Sequence, residues 1–131
     1  MRRMENEVRV GDVRVDWELI RPGLEIVKEK GNAEWRLEDV YALCRNGDAF
    51  LYIVDEGFSI VRRVVNSFTL EIELFIMVSF STGECNIKKF QPYLEDLAKE
   101  IGATSMTLQS PRRGLERHGW EIEQINYKWR L

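Results

Sequence analysis

Apolar residues recur at helical spacing in two segments of the first third of the chain, residues 16–32 and 36–47, and each segment ends at a glycine. Pro22 suits the first turn of a helix better than its interior, so we expect the first helix to begin near Arg21. Alternating valines ahead of it predict a short first strand. The residues that define these elements are Val8, Val10, Val13 and Val15 for the strand, Leu19, Ile20, Leu24 and Val27 for the first helix, and Leu37, Val40, Tyr41 and Cys44 for the second.

The hydrophobic pattern becomes strand-like after the second helix. Residues 49–54 and 58–65 alternate around a short Gly-containing turn, which predicts a hairpin. The next predicted strand, from Phe68 to Phe80, has one face that is apolar throughout, whereas its other face is polar up to Glu73 and apolar after it. We expect such a strand to start at a solvated surface and to finish between two layers.

The last third of the chain is predicted to form a helix at 87–102, a strand at 105–110, a short basic helix at 112–119 and a final strand at 121–131. The residues on one face of the final strand are Ile125, Tyr127, Trp129 and Leu131. Pro92 either starts the third helix late, near Gln91, or kinks it. The order is then β-α-α-β-β-β-α-β-α-β. This order predicts one α+β domain, residues 1–131, with a mixed, mostly antiparallel six-stranded sheet and helices on both faces.

Composition narrows the class of protein. A formal net charge of −3 does not favour binding to nucleic acid or to an anionic membrane surface. No apolar run approaches the ~20 residues of a membrane span, and the first ten residues lack the apolar region of a signal peptide. The two cysteines and the single histidine make neither a disulfide framework nor a zinc set, so we expect no metal and a cytoplasmic location.

A set of short motifs extends along nearly the whole chain: Trp17, Pro22 and Leu24, the LEDV sequence at 37–40, Gly47 with Leu51-Tyr52, and the corner from Leu115 to Trp120. These motifs resemble those of the GNAT acyltransferase superfamily and, more narrowly, of small GNAT-like proteins from bacteriophages and prophages. The resemblance implies an acyl-CoA donor such as acetyl-CoA and an amine acceptor. It also implies that the fourth and fifth strands part near Val78–Phe80 and 107–109 to hold the donor.

The resemblance places the donor's pyrophosphate at the N-terminus of the third helix, where unpaired N–H groups favour an anion. The family's Arg/Gln-x-x-Gly-x-Gly/Ala loop aligns its signature positions with Thr82, Cys85 and Ile87, and none of them matches. The positive charges of Lys88 and Lys89 either offset the negative charge of Glu84, which would repel a pyrophosphate, or belong to two solvated lysines near the start of the helix. The cofactor-binding residues implied in this way are Val78, Phe80, Thr82, Gly83, Lys88, Lys89 and Arg112.

Arg112 stands in a basic cluster that would hold a 3′-phosphate, another anion or the acidic surface of a partner. Glu73 is the candidate base that takes a proton from the acceptor amine; alternatively, it forms a cross-strand ion pair with Arg62 or Arg63. Leu115 replaces the tyrosine that family enzymes often use to protonate the departing thiolate.

Two functions therefore remain open. The first is an acyl-CoA-dependent N-acyltransferase that has a degenerate cofactor loop and acts on an unknown amine. The second is a catalytically inactive GNAT-fold binding protein of the phage type, which would engage a protein partner in the host cytoplasm.

Overall fold

The computed structural model describes residues 8–31, 33–82, 86–109, 119–123 and 127–131; the side chains of 86–89 lie outside this description. The elements follow each other as β1 (Arg9–Val10), α1 (Val13–Gly31), α2 (Leu37–Arg45), β2 (Phe50–Val54), β3 (Gly57–Val65), β4 (Ile72–Ser81), α3 (Asn86–Glu100) and β5 (Ser105–Leu108). No helix in these ranges is long and apolar enough to cross a membrane.

The strands form one sheet in the order β1-β2-β3-β4-β5, in which only the β4–β5 pair is parallel. Alternate strand residues build two separate cores, one on each face. Helices α1 and α2 cover one core through Ile20, Leu24 and Val40, whereas α3 covers the other through Phe90 and Leu94. The prediction of a mixed α+β domain with helices on both faces is therefore confirmed.

The prediction of a six-stranded sheet is wrong, because the described residues form five strands and the element order ends at β5. Residues 121–123 and 127–131 were expected to belong to the sixth strand and are not in a strand. Tyr127 and Trp129, expected to line a buried face, are 91% and 89% exposed. The predicted basic helix at 112–119 falls almost entirely outside the described residues.

The two prolines lie inside helices rather than at their starts. Helix α1 begins at Val13, and Asp12 caps it by accepting a hydrogen bond from the N–H of Arg14 at 2.9 Å. Pro22 cannot donate to the carbonyl of Glu18, but both residues are on the exposed side of α1, where that carbonyl is accessible to solvent. Pro92 is likewise exposed within α3, which starts at Asn86 and not near Gln91.

Strand β4 starts four residues later than the apolar pattern suggested. Phe68 and Leu70 are 95% and 74% exposed because the chain turns there before β4 begins. The side chain of Asn66 accepts hydrogen bonds from the N–H groups of Phe68 and Thr69, an arrangement that favours a turn over an extended strand. The prediction of a face buried from Phe68 onward is wrong at this end.

A β-bulge interrupts the β3–β4 pairing. Ile60 pairs with Val78, but the next residue, Val61, pairs with Ile76, so Met77 has no partner on β3. As a result Ile76 packs into the α3-side core, whereas Val78 packs into the α1-side core. The bulge therefore transfers the apolar side chains of β4 from one face to the other.

Helix α1 approaches the sheet closely at Gly23. A Cβ atom built at this position would lie 2.7 Å from Cε1 of Phe58 and 2.7 Å from Cδ2 of Phe80. These rings themselves pack together with centroids 5.7 Å apart. The missing side chain at Gly23 therefore allows the helix to lie directly on the aromatic pair.

We expect Gly23→Ala to destabilise the fold relative to Gly31→Ala by about 1–3 kcal/mol, the usual cost of overpacking. Both substitutions gain helix propensity, but nothing lies within 4 Å of a Cβ at Gly31, which makes it the matched control. Urea unfolding of both variants measures the difference. Equal free energies of unfolding would contradict the close helix–sheet contact.

Candidate functional site

The pairing of β4 with β5 ends long before β4 does. The last paired residues are Ile76 and Leu108, whereas β4 continues to Ser81. Across this interval β4 has no strand partner on its β5 side among the described residues. Within the described residues β4 is thus unpaired on this side at Val78–Phe80, whereas Thr107 and Leu108, where parting was also expected, are still paired.

The bulge and the end of the β4–β5 ladder coincide at Met77. Val78 is 2% exposed in the α1-side core, so it can offer a ligand only its backbone. Phe80 is half-buried beside Phe58. Among the described residues, the stretch from Met77 to Phe80 therefore has no strand partner on its β5 side, and its apolar side chains are committed to packing. Bulges of this kind recur next to active sites.

A cleft of about 430 Å³ opens on the α1 side at the end of β4. Its lining includes the apolar residues Leu19, Ile20 and Phe80 and the polar residues Arg9, Glu56 and Thr82. Leu19 was expected to face the core, but it is 62% exposed and lies against this cleft. The cleft thus combines apolar surface with a few polar groups, as small-molecule sites usually do.

Thr82 fixes the end of β4 to the β2–β3 turn. Its N–H and its hydroxyl both donate to the carbonyl of Glu56, at 2.9 and 3.2 Å. Gly57 completes the contact because its backbone lies directly against the Phe80 carbonyl, where a Cβ would clash. These contacts hold the start of the loop that leads to α3.

Arg9 and Asp16 form an ion pair beside the cleft. Both guanidinium NH₂ groups of Arg9 donate to the Asp16 carboxylate, at 3.2 and 2.9 Å, and the backbone N–H of Asp12 donates to it at 2.9 Å. The hydrogen bonds from Arg9 and from Asp12 hold the pKa of Asp16 below its usual range. The pair ties β1 to the first turn of α1 and so shapes one wall of the cleft.

Glu73 lies on the face of β4 opposite α3, half-buried, and its Oε2 accepts a hydrogen bond from the hydroxyl of Thr107 at 3.3 Å. In the described part of the chain it forms no ion pair with Arg62 or Arg63, which was the alternative reading. Four residues separate it from Met77, about 13 Å along an extended strand. Glu73 therefore does not contact the strand opening directly.

The other predicted site residues are only partly located. Thr82 follows β4, and Lys88 and Lys89 belong to the first turn of α3, although their side chains are outside the description. Gly83 and Arg112 lie outside the described residues, as do Cys85 and Leu115. Trp120, expected to plug the core, is half-buried against the α3-side core and donates from Nε1 to Oε1 of Gln91 at 3.3 Å.

Sequence reasoning missed Arg9, Asp16 and Thr107 as parts of this region. Asp16 occupies a buried position of α1, one turn before Ile20, so an acidic residue on the apolar face was the available signal. Burial raises the pKa of the Cys44 thiol to about 11, which keeps it protonated at neutral pH. Among the described side chains, no group of three His, Cys, Asp or Glu residues is placed to hold a metal.

Several solved structures with the same architecture are acetyltransferases. A probable acetyltransferase superposes with a TM-score of 0.70 at 15% identity, covering 95% of this chain and 97% of that one. A ribosomal-protein-alanine N-acetyltransferase from Brucella melitensis biovar Abortus 2308 gives a TM-score of 0.67 at 17% identity, covering 95% and 98%. The chain has the GNAT acetyltransferase fold. An aminoglycoside acetyltransferase from an uncultured soil metagenomic sample, solved with sisomicin, also matches at a TM-score of 0.65 and 10% identity, covering 95% of both chains.

The likeness to these structures is one of fold, since the identities are low. No protein-family model matches the chain, and no curated protein matches it by sequence. What the site does must therefore be argued from its own residues.

Asp16→Asn should lower the free energy of unfolding by about 1–3 kcal/mol at pH 7, because a hydrogen-bonded charge pair is lost. The folded-state pKa of Asp16 is depressed, so its contribution is fully present above the unfolded value of about 4 and is lost as the pH falls through the folded value. The difference between wild type and variant should therefore shrink below about pH 4.

Asp12→Asn is the matched control for this prediction. Asp12 is an exposed helix cap, and asparagine caps a helix about as well as aspartate. Urea unfolding of the three proteins between pH 3 and pH 7 makes the comparison. An Asp16→Asn effect that is constant across this range would show that the ion pair does not stabilise the fold.

Proposed function

We propose that the protein is an acyl-CoA-dependent N-acyltransferase that transfers an acyl group to an amine. The observation that carries this proposal is the parting of β4 from β5 directly after the bulge at Met77, within an acetyltransferase fold. An open strand edge inside a folded domain leaves backbone N–H and C=O groups without strand partners. Such groups need a ligand or water, because unpaired buried backbone groups are costly.

Acetyl-CoA supplies an activated thioester and an amide-containing arm, and the residues present fit it. The Met77–Phe80 edge can pair with amide groups of the arm as a neighbouring strand would. Helix α3 starts at Asn86, so its first-turn N–H groups suit the pyrophosphate, and Lys88 and Lys89 of that turn add positive charge. We assign Gly83 to the close backbone approach and Arg112 to the 3′-phosphate.

Glu73 serves as the general base in this proposal. Bound acetyl-CoA would supply an activated thioester carbonyl to the acceptor nitrogen, and the new C–N bond would be balanced by departure of the sulfur as a thiolate. Glu73 would take the proton of that nitrogen through intervening water. The hydroxyl of Thr107 donates to Glu73 and so fixes the carboxylate. A positioned base of this type contributes about 10²–10⁴-fold to the rate.

The leaving group does not require an acid from the protein. Thiols titrate near pH 8.5, so a thiolate departs at neutral pH without a donor, at some cost in rate. Leu115 in place of a tyrosine is therefore compatible with slow turnover. Cys85 and Ile87 in place of glycines favour weak rather than tight cofactor binding, since side chains hinder the approach of a phosphate.

Glu73→Gln should reduce kcat about 10²–10⁴-fold and leave acetyl-CoA affinity unchanged, because the base touches the acceptor side only. Glu71→Gln is the matched control, since Glu71 is exposed in the turn before β4. Thiol release during turnover measures kcat, and calorimetry measures affinity. Equal activity of both variants would remove Glu73 from the mechanism.

The exchange of Lys88 and Lys89 together for alanine should weaken acetyl-CoA binding by about 1–3 kcal/mol, the range of charge-assisted hydrogen bonds. Lys99→Ala, in the last turn of the same helix, should leave the affinity unchanged. Calorimetry with acetyl-CoA makes the comparison. No binding heat to wild type at millimolar ligand would contradict the acyltransferase proposal and leave the binding-protein alternative, including the phage-type protein partner.

A further inference from the structure

Arg62 carries an unusual feature on the same face of the sheet as Glu73. Its Nε atom is buried and has no hydrogen-bond partner among the described residues. A buried charged donor without a partner costs free energy, so proteins retain such groups where a ligand, an ion or water completes them. Arg62 lies on β3 near the strand opening, so a ligand bound there is the kind of partner that would complete it.

The strand register places Arg62 beside the proposed acceptor site. Arg62 pairs with Phe75 across β3 and β4, and Thr107 pairs with Phe75 across β4 and β5. Because Leu74 and Ile76 pack into the α3-side core, Phe75 and its two neighbours point to the other face. Phe75 is therefore the centre of a half-buried platform, with Arg62 on one side and Thr107 on the other.

Glu73 does not neutralise Arg62 on this platform. The two residues are diagonal neighbours in the register, with Cα atoms about 7–8 Å apart, a distance that long side chains can span. However, Glu73 accepts from Thr107, and no ion pair with Arg62 forms in the described ranges. The carboxylate of Glu73 and the guanidinium of Arg62 are therefore two separate charges next to the ring of Phe75.

We propose that Arg62 binds a carboxylate of the acceptor, so that the substrate is a small amine that carries a carboxylate, such as a free amino acid. This inference rests on the proposed acyltransferase function. An amine over Phe75 lies between Glu73 and the strand opening at Met77, and a carboxylate a few bonds away reaches β3. A guanidinium binds a carboxylate with two parallel hydrogen bonds, which Nε and one NH₂ group supply once the Arg62 side chain turns from its buried position toward the ligand.

The test compares free amino acids with their carboxamides, which keep the amine and lose the negative charge. In thiol-release assays, the wild type should use the best amino acid with a kcat/KM roughly 10- to 100-fold above that of its amide, as expected for one charge-assisted contact. Arg62→Gln should abolish this preference, and Arg62→Lys should retain part of it. No preference in the wild type would overturn the inference.

Arg63→Gln is the matched control, because Arg63 pairs with Leu74, is exposed on the other face and changes the net charge equally. It should keep the full preference for the carboxylate. Loss of the preference in Arg63→Gln as well would assign the effect to net charge and contradict the role of Arg62.

Calorimetry of the same amino acid and amide with the protein alone separates this inference from the acyltransferase proposal. If acetyl-CoA does not bind but the amino acid binds more tightly than its amide, the acyltransferase proposal fails and the carboxylate site stands. If acetyl-CoA binds but the amino acid and amide bind equally, the carboxylate site fails alone.

Arg62→Met tests a purely structural role. Methionine keeps the length of the side chain and removes the unpaired donor, so the melting temperature should stay the same or rise. A clear fall in the melting temperature would assign the guanidinium to the core and would overturn the inference.

Discussion

The unpaired residue Met77 in the β3–β4 ladder is the feature on which the rest of the structure depends. Without it, Val78 and Phe80 would continue into the α3-side core, and α1 would have no aromatic pair to lie on. With it, β4 holds one core together through Leu74 and Ile76 and the other through its second half. The pairing with β5 ends at Ile76, directly before this unpaired residue, so the bulge and the end of the ladder coincide.

The opening lies between two regions of different chemistry. On the α1 side, toward the end of β4, the cleft is apolar with Arg9 and Thr82 at its rim. Toward the start of β4, the same face carries Arg62, Glu73 and Thr107 around Phe75. In the proposed function, a donor held at the backbone edge would therefore meet polar, oppositely charged groups beside the amine acceptor.

The sequence predicted the order of elements up to β5, because periodicity and glycine positions are local signals. The prediction failed where two local signals conflict. The alternating valines from Val8 to Val15 resemble a strand, but Asp12 caps a helix that begins at Val13. Phe68 extends the apolar pattern of β4, but the side chain of Asn66 stabilises a turn there. The bulge was not visible, since Met77 and Val78 are both apolar and fit either face. Glu73 could be found from its strand position, but the unpaired Nε of Arg62 depends on three strands and has no sequence signature.

Amide hydrogen exchange of β4 with and without acetyl-CoA reports whether the edge from Met77 to Phe80 is open and whether a ligand closes it. We expect strong protection of Leu74 and Ile76 in both states. The N–H groups between Met77 and Phe80 that point away from β3 should exchange quickly in the free protein and slowly with the ligand. Full protection of these amides without ligand, or no change when it is added, would show that this edge does not bind the donor.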